Sequence, residues 1–372
     1  MPSKLRPIRI LLRLSCVLAF AACGAGEGTS SHLPPGPATT APPGDIVLYV
    51  TMAQGNRVDA YRLGTDGLLP AAPSSTMHVL NPRRLALADG VLHVSTIDRI
   101  VSARLGANGE LPVGPDAETA PAEGSLPLEL VARNGVLYAA VPGSGTVTSY
   151  VLEDGLVPIA PTGIGKPESS EDYVSLELNG NYLYAGTRSS HEIHVYLLEQ
   201  DGNVPPTPED QQPMDGISLP DDIVIRDNIL YVTSAGDRAI HEYKIREDGT
   251  LPADQNSRTE PEDFYSSILL SGDTMYVTAY NLGRVDLFQV LANGTLPEEP
   301  AFAHTHADPA AYPAKMALER GILYVAQAGL DRIDAYVMGA DGMPPEYPSS
   351  STVPAPGKSF PTDLVTLRLN VE

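Results

Sequence analysis

Short apolar runs alternate with polar turns along the chain after residue 44, and the same pattern returns seven times. The clearest copy is LYVTSAGDRAIHEYKIREDGTLP, which spans residues 230–252. Its apolar run recurs at Leu48, Leu92, Leu137, Leu183, Leu230, Met275 and Leu323, with His93 in place of the tyrosine in the second copy. Its turn recurs as Asp-Gly or Asn-Gly, with the glycine at 67, 109, 155, 202, 249, 294 and 342. Two independent markers with one period indicate an internal repeat.

Successive copies begin 44, 45, 46, 47, 45 and 48 residues apart, and such a period in short strands is typical of propeller blades. Each copy combines a β-rich run such as ILYVTSA with an alternating run such as IHEYKI and a hairpin signal. We therefore predict an all-β, seven-bladed β-propeller with four strands per blade over residues 45–372.

The two ends of the repeat region complement each other. The apolar run at Leu48 has no inner strand before it, whereas the final segment PTDLVTLRL, residues 361–369, has no such run after it. The C-terminal segment is therefore predicted to complete blade 1 beside residues 46–50. Closure of the ring in this way removes the open edges that a sheet protein must otherwise protect.

The N-terminus is typical of a secretory signal. Four basic residues within the first 13 precede an apolar run at 14–22, which is too short to span a bilayer. Cys23 follows Phe20-Ala21-Ala22 and resembles a bacterial lipoprotein processing site, although Phe20 departs from the usual leucine. We predict a signal peptide over 1–22 and a lipidated Cys23. The alternative is an ordinary signal peptide with a chance cysteine.

Composition restricts the partners. Residues 23–44 are rich in Gly, Pro, Ser and Thr, which predicts a flexible tether that lifts the propeller off the membrane. The formal net charge is −22, so nucleic acid and anionic lipid surfaces are poor partners. The chain has two cysteines, one of them in the predicted signal, which leaves no disulfide in the mature protein. We expect an extracytoplasmic monomer in the bacterial cell envelope.

The repeat resembles the seven-bladed lactonase family, which includes bacterial 6-phosphogluconolactonase-type propellers and the related YVTN-repeat surface proteins. The likeness covers residues 45–372 and is carried by the Tyr-Val strand, the Val-x-x-Tyr-like strand and the Asp-Gly-x-Leu turn. The resemblance implies the fold, but these are scaffold residues, and no catalytic motif of the family is matched residue by residue.

Candidate site residues follow from propeller geometry, because the starts of the inner strands gather around the channel. The position eight residues before the apolar run is polar in six blades, and Asp363 holds the equivalent place in blade 1. Around the ring these residues are Asp363, Arg84, Glu129, Ser175, Asp222, Ser267 and Lys315. Four neighbours alternate in sign and can neutralise each other as a salt-bridged rim. Asp222 lies between serines, without a neighbouring cation, so we predict that it contacts a ligand or Ca²⁺. The alternative is a hydrated channel carboxylate.

Loops between the second and third strands supply further candidates. Arg188 and His191 lie in blade 4, next to Asp222 in blade 5, and could bring a cation and an imidazole toward it. Other loop candidates are Gln54, Arg57, Asp237, Arg238, Tyr280, Arg284, Gln327 and Arg332. Most of this second group are expected to be solvated side chains or ties between blades.

Two functions remain open. The first is a binding module that holds a small polar ligand or a protein at the channel mouth. The second is a lactone hydrolase, in which Asp222 or Glu129 activates water while Arg84, Lys315 or Arg188 stabilises the oxyanion. Neither function requires a cofactor other than the possible Ca²⁺.

Overall fold

Seven four-stranded antiparallel sheets build the protein. The computed structural model describes residues 43–120, 126–167, 171–214, 219–259, 263–303, 308–352 and 359–369. The predicted signal peptide, Cys23 and nearly all of the predicted tether lie outside these described residues. Within them no helix has the length and hydropathy of a membrane span. The predicted all-β propeller with seven blades is confirmed.

Each blade begins with an inner strand that lines the channel. The inner strands are β4 (Leu85–Ala88), β8 (Glu129–Arg133), β12 (Tyr173–Asn179), β16 (Pro220–Arg226), β20 (Tyr265–Ser271), β24 (Pro313–Glu319) and β28 (Pro361–Arg368). The second strands are β1 (Pro43–Met52), β5 (Val91–Ser95), β9 (Val136–Val141), β13 (Tyr182–Thr187), β17 (Ile229–Ser234), β21 (Thr274–Ala279) and β25 (Ile322–Gln327).

The outer half of each blade is a third strand and a short edge strand. The third strands are β2 (Arg57–Gly64), β6 (Ile100–Arg104), β10 (Thr146–Val151), β14 (Glu192–Leu197), β18 (Ala239–Lys244), β22 (Arg284–Gln289) and β26 (Arg332–Val337). The edge strands are β3 (Ser75–His78), β7 (Ala117–Glu118), β11 (Gly163–Gly165), β15 (Asp210–Pro213), β19 (Ser257–Thr259), β23 (Phe302–Ala303) and β27 (Ser350–Ser351). Two 3-10 turns, Pro142–Ser144 and Ala328–Leu330, follow β9 and β25.

The C-terminal strand closes the ring as predicted. β28 pairs antiparallel with β1, from Ile46 opposite Arg368 to Val50 opposite Leu364. β28 also contacts its neighbouring inner strands β24 and β4, so blade 1 joins blade 7 to blade 2. The strand β1 begins at Pro43, two residues before the predicted start of the domain.

The core lies between the blades, because each second strand is covered on both faces. Leu48 and Val50 pack against blade 7, where they meet Tyr324, whereas Tyr49 points the other way and packs beside Leu92 of blade 2. Side chains alternate across a strand, so a strand buried on both faces is apolar at every position. This explains why the Leu-Tyr-Val runs are so clear in the sequence.

The repeated tyrosine joins each blade to the turn of the next one. The tyrosine hydroxyl donates to the carbonyl of the turn glycine in six pairs: Tyr49 to Gly109, Tyr138 to Gly202, Tyr184 to Gly249, Tyr231 to Gly294, Tyr276 to Gly342 and Tyr324 to Gly67. Blade 2 breaks the series, because His93 bonds Ser102 at 2.8 Å within its own blade. The turn glycines have positive φ, +82° at Gly294, which explains why glycine holds this position.

Candidate functional site

The seven polar positions before or within the inner strands come together on one face of the propeller. The inner strands contact one another in the ring order β4, β8, β12, β16, β20, β24 and β28, and all run in the same direction. Their starting ends therefore share a face with the loops between second and third strands, which we call the mouth face. The upper layer of the channel is defined as Arg84, Glu129, Ser175, Asp222, Ser267, Lys315 and Asp363.

Ion pairs cross the upper layer. The Lys315 Nζ lies 2.9 Å from Asp222 Oδ2 and 4.0 Å from Glu129 Oε2. The Arg84 Nε lies 3.3 Å from the same Glu129 oxygen. The expectation that Asp222 has no cation beside it is therefore wrong. Ser267, which lies between them in the ring, is too short to separate them, and the long lysine side chain reaches past it.

Two aspartates of the upper layer also join neighbouring blades. The backbone N–H of Ile268 donates to Asp222 Oδ2 at 2.9 Å, and the N–H of Leu85 donates to Asp363 Oδ2 at 2.8 Å. In both cases the acceptor aspartate starts one inner strand and the donor lies at the start of the next. A polar residue at this position therefore has a scaffold role, which the sequence analysis did not anticipate.

Burial and neighbouring charges shift the pKa values of the charged side chains in the upper layer. Burial raises the pKa of Glu129 and of Asp363, although Arg84 and Lys315 act in the opposite direction. Burial alone would lower the pKa of Lys315 and of Arg84, but the surrounding carboxylates, chiefly Asp222 for the lysine and Glu129 for the arginine, raise both. The two cations thus remain charged and are neutralised by their neighbours.

Three other predicted site residues, Ser175, Arg188 and His191, have different surroundings. The Ser175 side chain is fully buried and its hydroxyl has no hydrogen-bond partner. Arg188 pairs with Asp221 and not with Asp222. His191 has a φ of +61° in its loop, where its carbonyl accepts the backbone N–H of Met214.

Several loop candidates are structural. Three arginines pair with the aspartate two residues further along the same third strand: Arg57 with Asp59 at 2.9 Å, Arg284 with Asp286 at 2.7 Å and Arg332 with Asp334 at 2.8 Å. Asp237 bonds the ring of buried His241 at 2.9 Å. These four contacts each lie within one blade, whereas ties between blades had been expected.

The mouth face carries two features that the sequence analysis missed. Arg83 precedes Arg84, its Nε has no hydrogen-bond partner, and burial together with the charge of Arg84 lowers its pKa. An aromatic group lies on blades 6 and 7, where the ring centroids of Tyr280 are 5.1 Å from Tyr312 and 6.1 Å from Phe264. The doubled arginine was visible in the sequence as Arg83-Arg84, but its exposure to the mouth was not.

Deeper in the channel, the side chains of the inner strands are mostly aliphatic instead of polar. The lower layer is defined as the positions two residues further along each inner strand: Ala86, Val131, Glu177, Val224, Leu269, Ala317 and Val365. Six are aliphatic and one is a glutamate. Burial, reinforced by the negative charge of Asp222, raises the pKa of Glu177 to about 7. A cavity of about 370 Å³ lies against Glu177 and the aliphatic residues of blades 2 and 3.

The Ca²⁺ at Asp222 stays a prediction, and the described part of the chain shows its surroundings. No group of three or more His, Cys, Asp or Glu side chains converges there in a way that could hold a metal ion. The ammonium of Lys315 occupies the side of Asp222 that faces the channel. A calcium ion at Asp222 would have to displace it, and oxygen ligands for the remaining coordination positions are not assembled.

Solved propellers resemble this structure in fold. A protein from Lactobacillus plantarum and a candidate 6-phosphogluconolactonase from Bacteroides uniformis each give a TM-score of 0.73 at 16% identity. Both alignments cover 87% of this chain; they cover 99% of the Lactobacillus plantarum protein and 100% of the Bacteroides uniformis protein. The periplasmic gluconolactonase PpgL of Pseudomonas aeruginosa gives a TM-score of 0.68 at 17% identity. That alignment covers 87% of this chain and 99% of PpgL.

The fold is therefore one that these solved structures share, and it is the seven-bladed propeller that the repeat predicted. No protein-family model and no curated protein matches the chain. Sequence identities of this size establish the architecture and leave the chemistry of the site to be argued from its own residues.

Proposed function

We propose that the protein binds a small polar ligand at the mouth face of the channel. The observation that carries the proposal is the pair Arg83 and Arg84 at the entrance. Within the described residues, Arg83 Nε is buried without a hydrogen-bond partner, and the Arg84 side chain is 28% exposed. Buried polar groups without partners are rare because each costs free energy, so a ligand oxygen at this position would be stabilising.

The composition of the mouth narrows the ligand class. The upper layer combines two cations with three carboxylates, which suits a neutral or zwitterionic polar molecule better than a phosphate. Tyr280 and Tyr312 offer aromatic surface on the same face. Hydroxyl-rich rings bind well where aromatic faces and charged hydrogen-bonding groups are found together.

Calorimetric titration of the full-length protein with glucose and with galactose, two neutral hydroxyl-rich rings, tests this proposal. We expect at least one of them to bind, and Arg83→Gln to weaken that binding about tenfold or more, the effect of losing one charge-assisted hydrogen bond. Arg104→Gln is the matched control, because Arg104 is exposed and its guanidinium bonds a carbonyl, that of Asp154, away from the mouth. Equal effects of the two variants, or no binding by either sugar, would contradict the proposal.

A lactone hydrolase is the second candidate function, favoured by the environment of Glu129. Burial raises the pKa of this carboxyl, as a general base requires, and its contacts with Arg84 and Lys315 are longer than those of Asp222. Asp222 is less suited, since one of its oxygens already accepts from both Lys315 and Ile268. The two cations would stabilise the oxyanion of ring opening.

Hydrolysis is tested with a panel of lactones that includes gluconolactone, the compound named in the activity of the Pseudomonas aeruginosa protein. If Glu129 is the base, Glu129→Gln lowers kcat about 100-fold or more, a common size for loss of general-base catalysis. Asp222→Asn separates the roles, because it removes the other candidate. Absence of turnover across the panel leaves binding as the function.

The location proposed for this module is the cell envelope. A lipid on Cys23 would hold the propeller at a membrane, with residues 24–44 as spacer; the support is the basic start, the short apolar run and the small residues before the cysteine. Cys23→Ser should release the protein from the membrane fraction. Retention of the variant in that fraction would rule out the lipid anchor.

A further inference from the structure

The lower layer of the channel is aliphatic at every position except one. At the same position of every inner strand the chain places Ala, Val or Leu, except in blade 4, where Glu177 follows two residues after Ser175. Glu177 is half-buried and lines a cavity of about 370 Å³. That volume lies at the small end of the range of roughly 300–1,000 Å³ for small-molecule sites.

Most of the side chains that line this cavity are aliphatic. Ala86 and Leu87 come from blade 2, Leu130 and Val131 from blade 3, and Leu178 from blade 4 beside Glu177. The one cation in the lining, Arg133, donates through its Nη2 to the carbonyl of Gly180 and keeps its positive charge at the rim. An aliphatic surface with one carboxylate is the complement of a molecule that has an aliphatic body and one positive charge.

The carboxylates above the cavity have the same sign as Glu177, and they are paired with Lys315 and Arg84. Asp222 and Glu129 both act to keep the Glu177 carboxyl protonated, and Lys315, the nearby cation, donates to Asp222. Within the described residues, no ion pair is formed by Glu177. An anion at this level would be repelled by Glu177, whereas a ligand cation would gain the attraction of its carboxylate in a channel partly shielded from water.

We propose that the lower half of the channel is a binding site for a small organic amine, with Glu177 as the counter-ion of the ammonium group and the aliphatic residues of blades 2, 3 and 4 as the pocket for its hydrocarbon body. This site is distinct from the polar mouth, from which it is separated by the upper layer.

The test compares two ligands of the same shape and different charge on the full-length protein. Cyclohexylamine and cyclohexanol are titrated by calorimetry at about pH 8, where the amine is protonated and Glu177 is mostly ionised. We expect the amine to bind wild type about tenfold more tightly than the alcohol, the difference that one partly desolvated charge pair supplies.

Glu177→Gln is expected to remove that preference while the alcohol binds as before, because the amide keeps the shape and loses the charge. Glu177→Val, which installs the residue found in blades 1, 3 and 5, is the second variant and should behave in the same way. Glu199→Gln, an exposed carboxylate outside the channel, is the matched control and should keep the wild-type preference.

A carboxyl titration of Glu177 by NMR locates the ligand. Saturation with cyclohexylamine should lower the pKa of Glu177 from its value near 7, whereas cyclohexanol should leave it unchanged or raise it. The proposal is overturned if wild type binds the amine no better than the alcohol, if both Glu177 variants keep the preference, or if the Glu177 titration does not respond to the amine.

Discussion

The upper and lower layers of the channel, two residues apart along the same strands, use charge in opposite ways. The upper layer holds five charged side chains, of which Lys315 lies 2.9 Å from Asp222 and Arg84 lies 3.3 Å from Glu129. The lower layer holds one carboxyl among aliphatic residues. In the upper layer most of the charged side chains pair with one another. In the lower layer, within the described residues, the Glu177 carboxyl forms no ion pair.

This difference affects how a functional residue is recognised. Asp222 and Asp363 are engaged by backbone N–H groups of the next blade, so their presence at a strand start is explained by the scaffold. The scaffold does not explain Glu177 in this way, because the six other blades have an aliphatic residue at the equivalent position. An unusual residue that the scaffold does not require is a stronger indication of a ligand than a cluster that pairs with itself.

Removal of the last strand should have the largest effect, because β28 contributes to both layers at once. Truncation before Pro361 deletes Asp363 from the upper layer and Val365 from the lower one, and it exposes the edge of β1. We expect loss of cooperative folding and aggregation of the whole domain, since the stability of a closed ring is shared between neighbouring blades. A truncated protein that stays monomeric with an unchanged Tm would contradict closure.

Lys315→Met should be the most damaging single change in the upper layer. It leaves Asp222 and Glu129 in the channel without their shared cation, and breaking a buried ion pair typically costs about 3–5 kcal/mol. Urea denaturation near neutral pH measures the loss. The double variant with Asp222→Leu provides the comparison, because it removes the stranded carboxylate and should recover part of the stability. A free energy of unfolding within about 1 kcal/mol of wild type for the single variant would show that the pair is solvated.

Asp222→Asn should have an intermediate effect. The amide carries one acceptor oxygen in place of two and is uncharged, so it weakens the contact with Lys315 and keeps at most the bond from Ile268 N–H. We expect a loss of about 1–3 kcal/mol in the free energy of unfolding. Ser267→Ala is a control at the same level of the next blade and should cost less. Equal losses for the two variants would remove the special role of this aspartate.

Glu177→Val should have the smallest effect on stability, and a pH-dependent one. The pKa of Glu177 is about 7 in the folded protein and about 4.5 when unfolded, so the carboxyl favours folding fully below pH 4.5 and loses this contribution as pH rises through 7. The valine variant lacks that loss. After allowance for screening in the open channel, it should exceed wild type by about 1–2 kcal/mol at pH 8 relative to pH 5. Parallel stability profiles of the two proteins would show that Glu177 is fully hydrated.

The repeat itself could be obtained from the sequence because it is encoded locally. A strand buried on both faces needs apolar residues at successive positions, and a tight hairpin needs glycine with positive φ, so the Leu-Tyr-Val runs and the Asp-Gly turns mark every blade. Closure by β28 was also predictable, since one half-blade lacked a partner at each end. His93 was visible as the one departure from tyrosine, and it is the place where a tyrosine link to the next blade is missing.

The sequence by itself determined the number of blades, the closing strand and the ring of polar positions at the strand starts. The blades and the polar positions follow from a repeat that is local in the chain, and the closing strand follows from the two half-blades at its ends. Only the tertiary structure decided which of those side chains pair. Asp222 and Lys315 are 93 residues apart, and their contact depends on the length of a lysine and the shortness of Ser267 between them. The isolation of Glu177 likewise depends on all seven inner strands placing the same position at one depth of the channel, which no single repeat can specify.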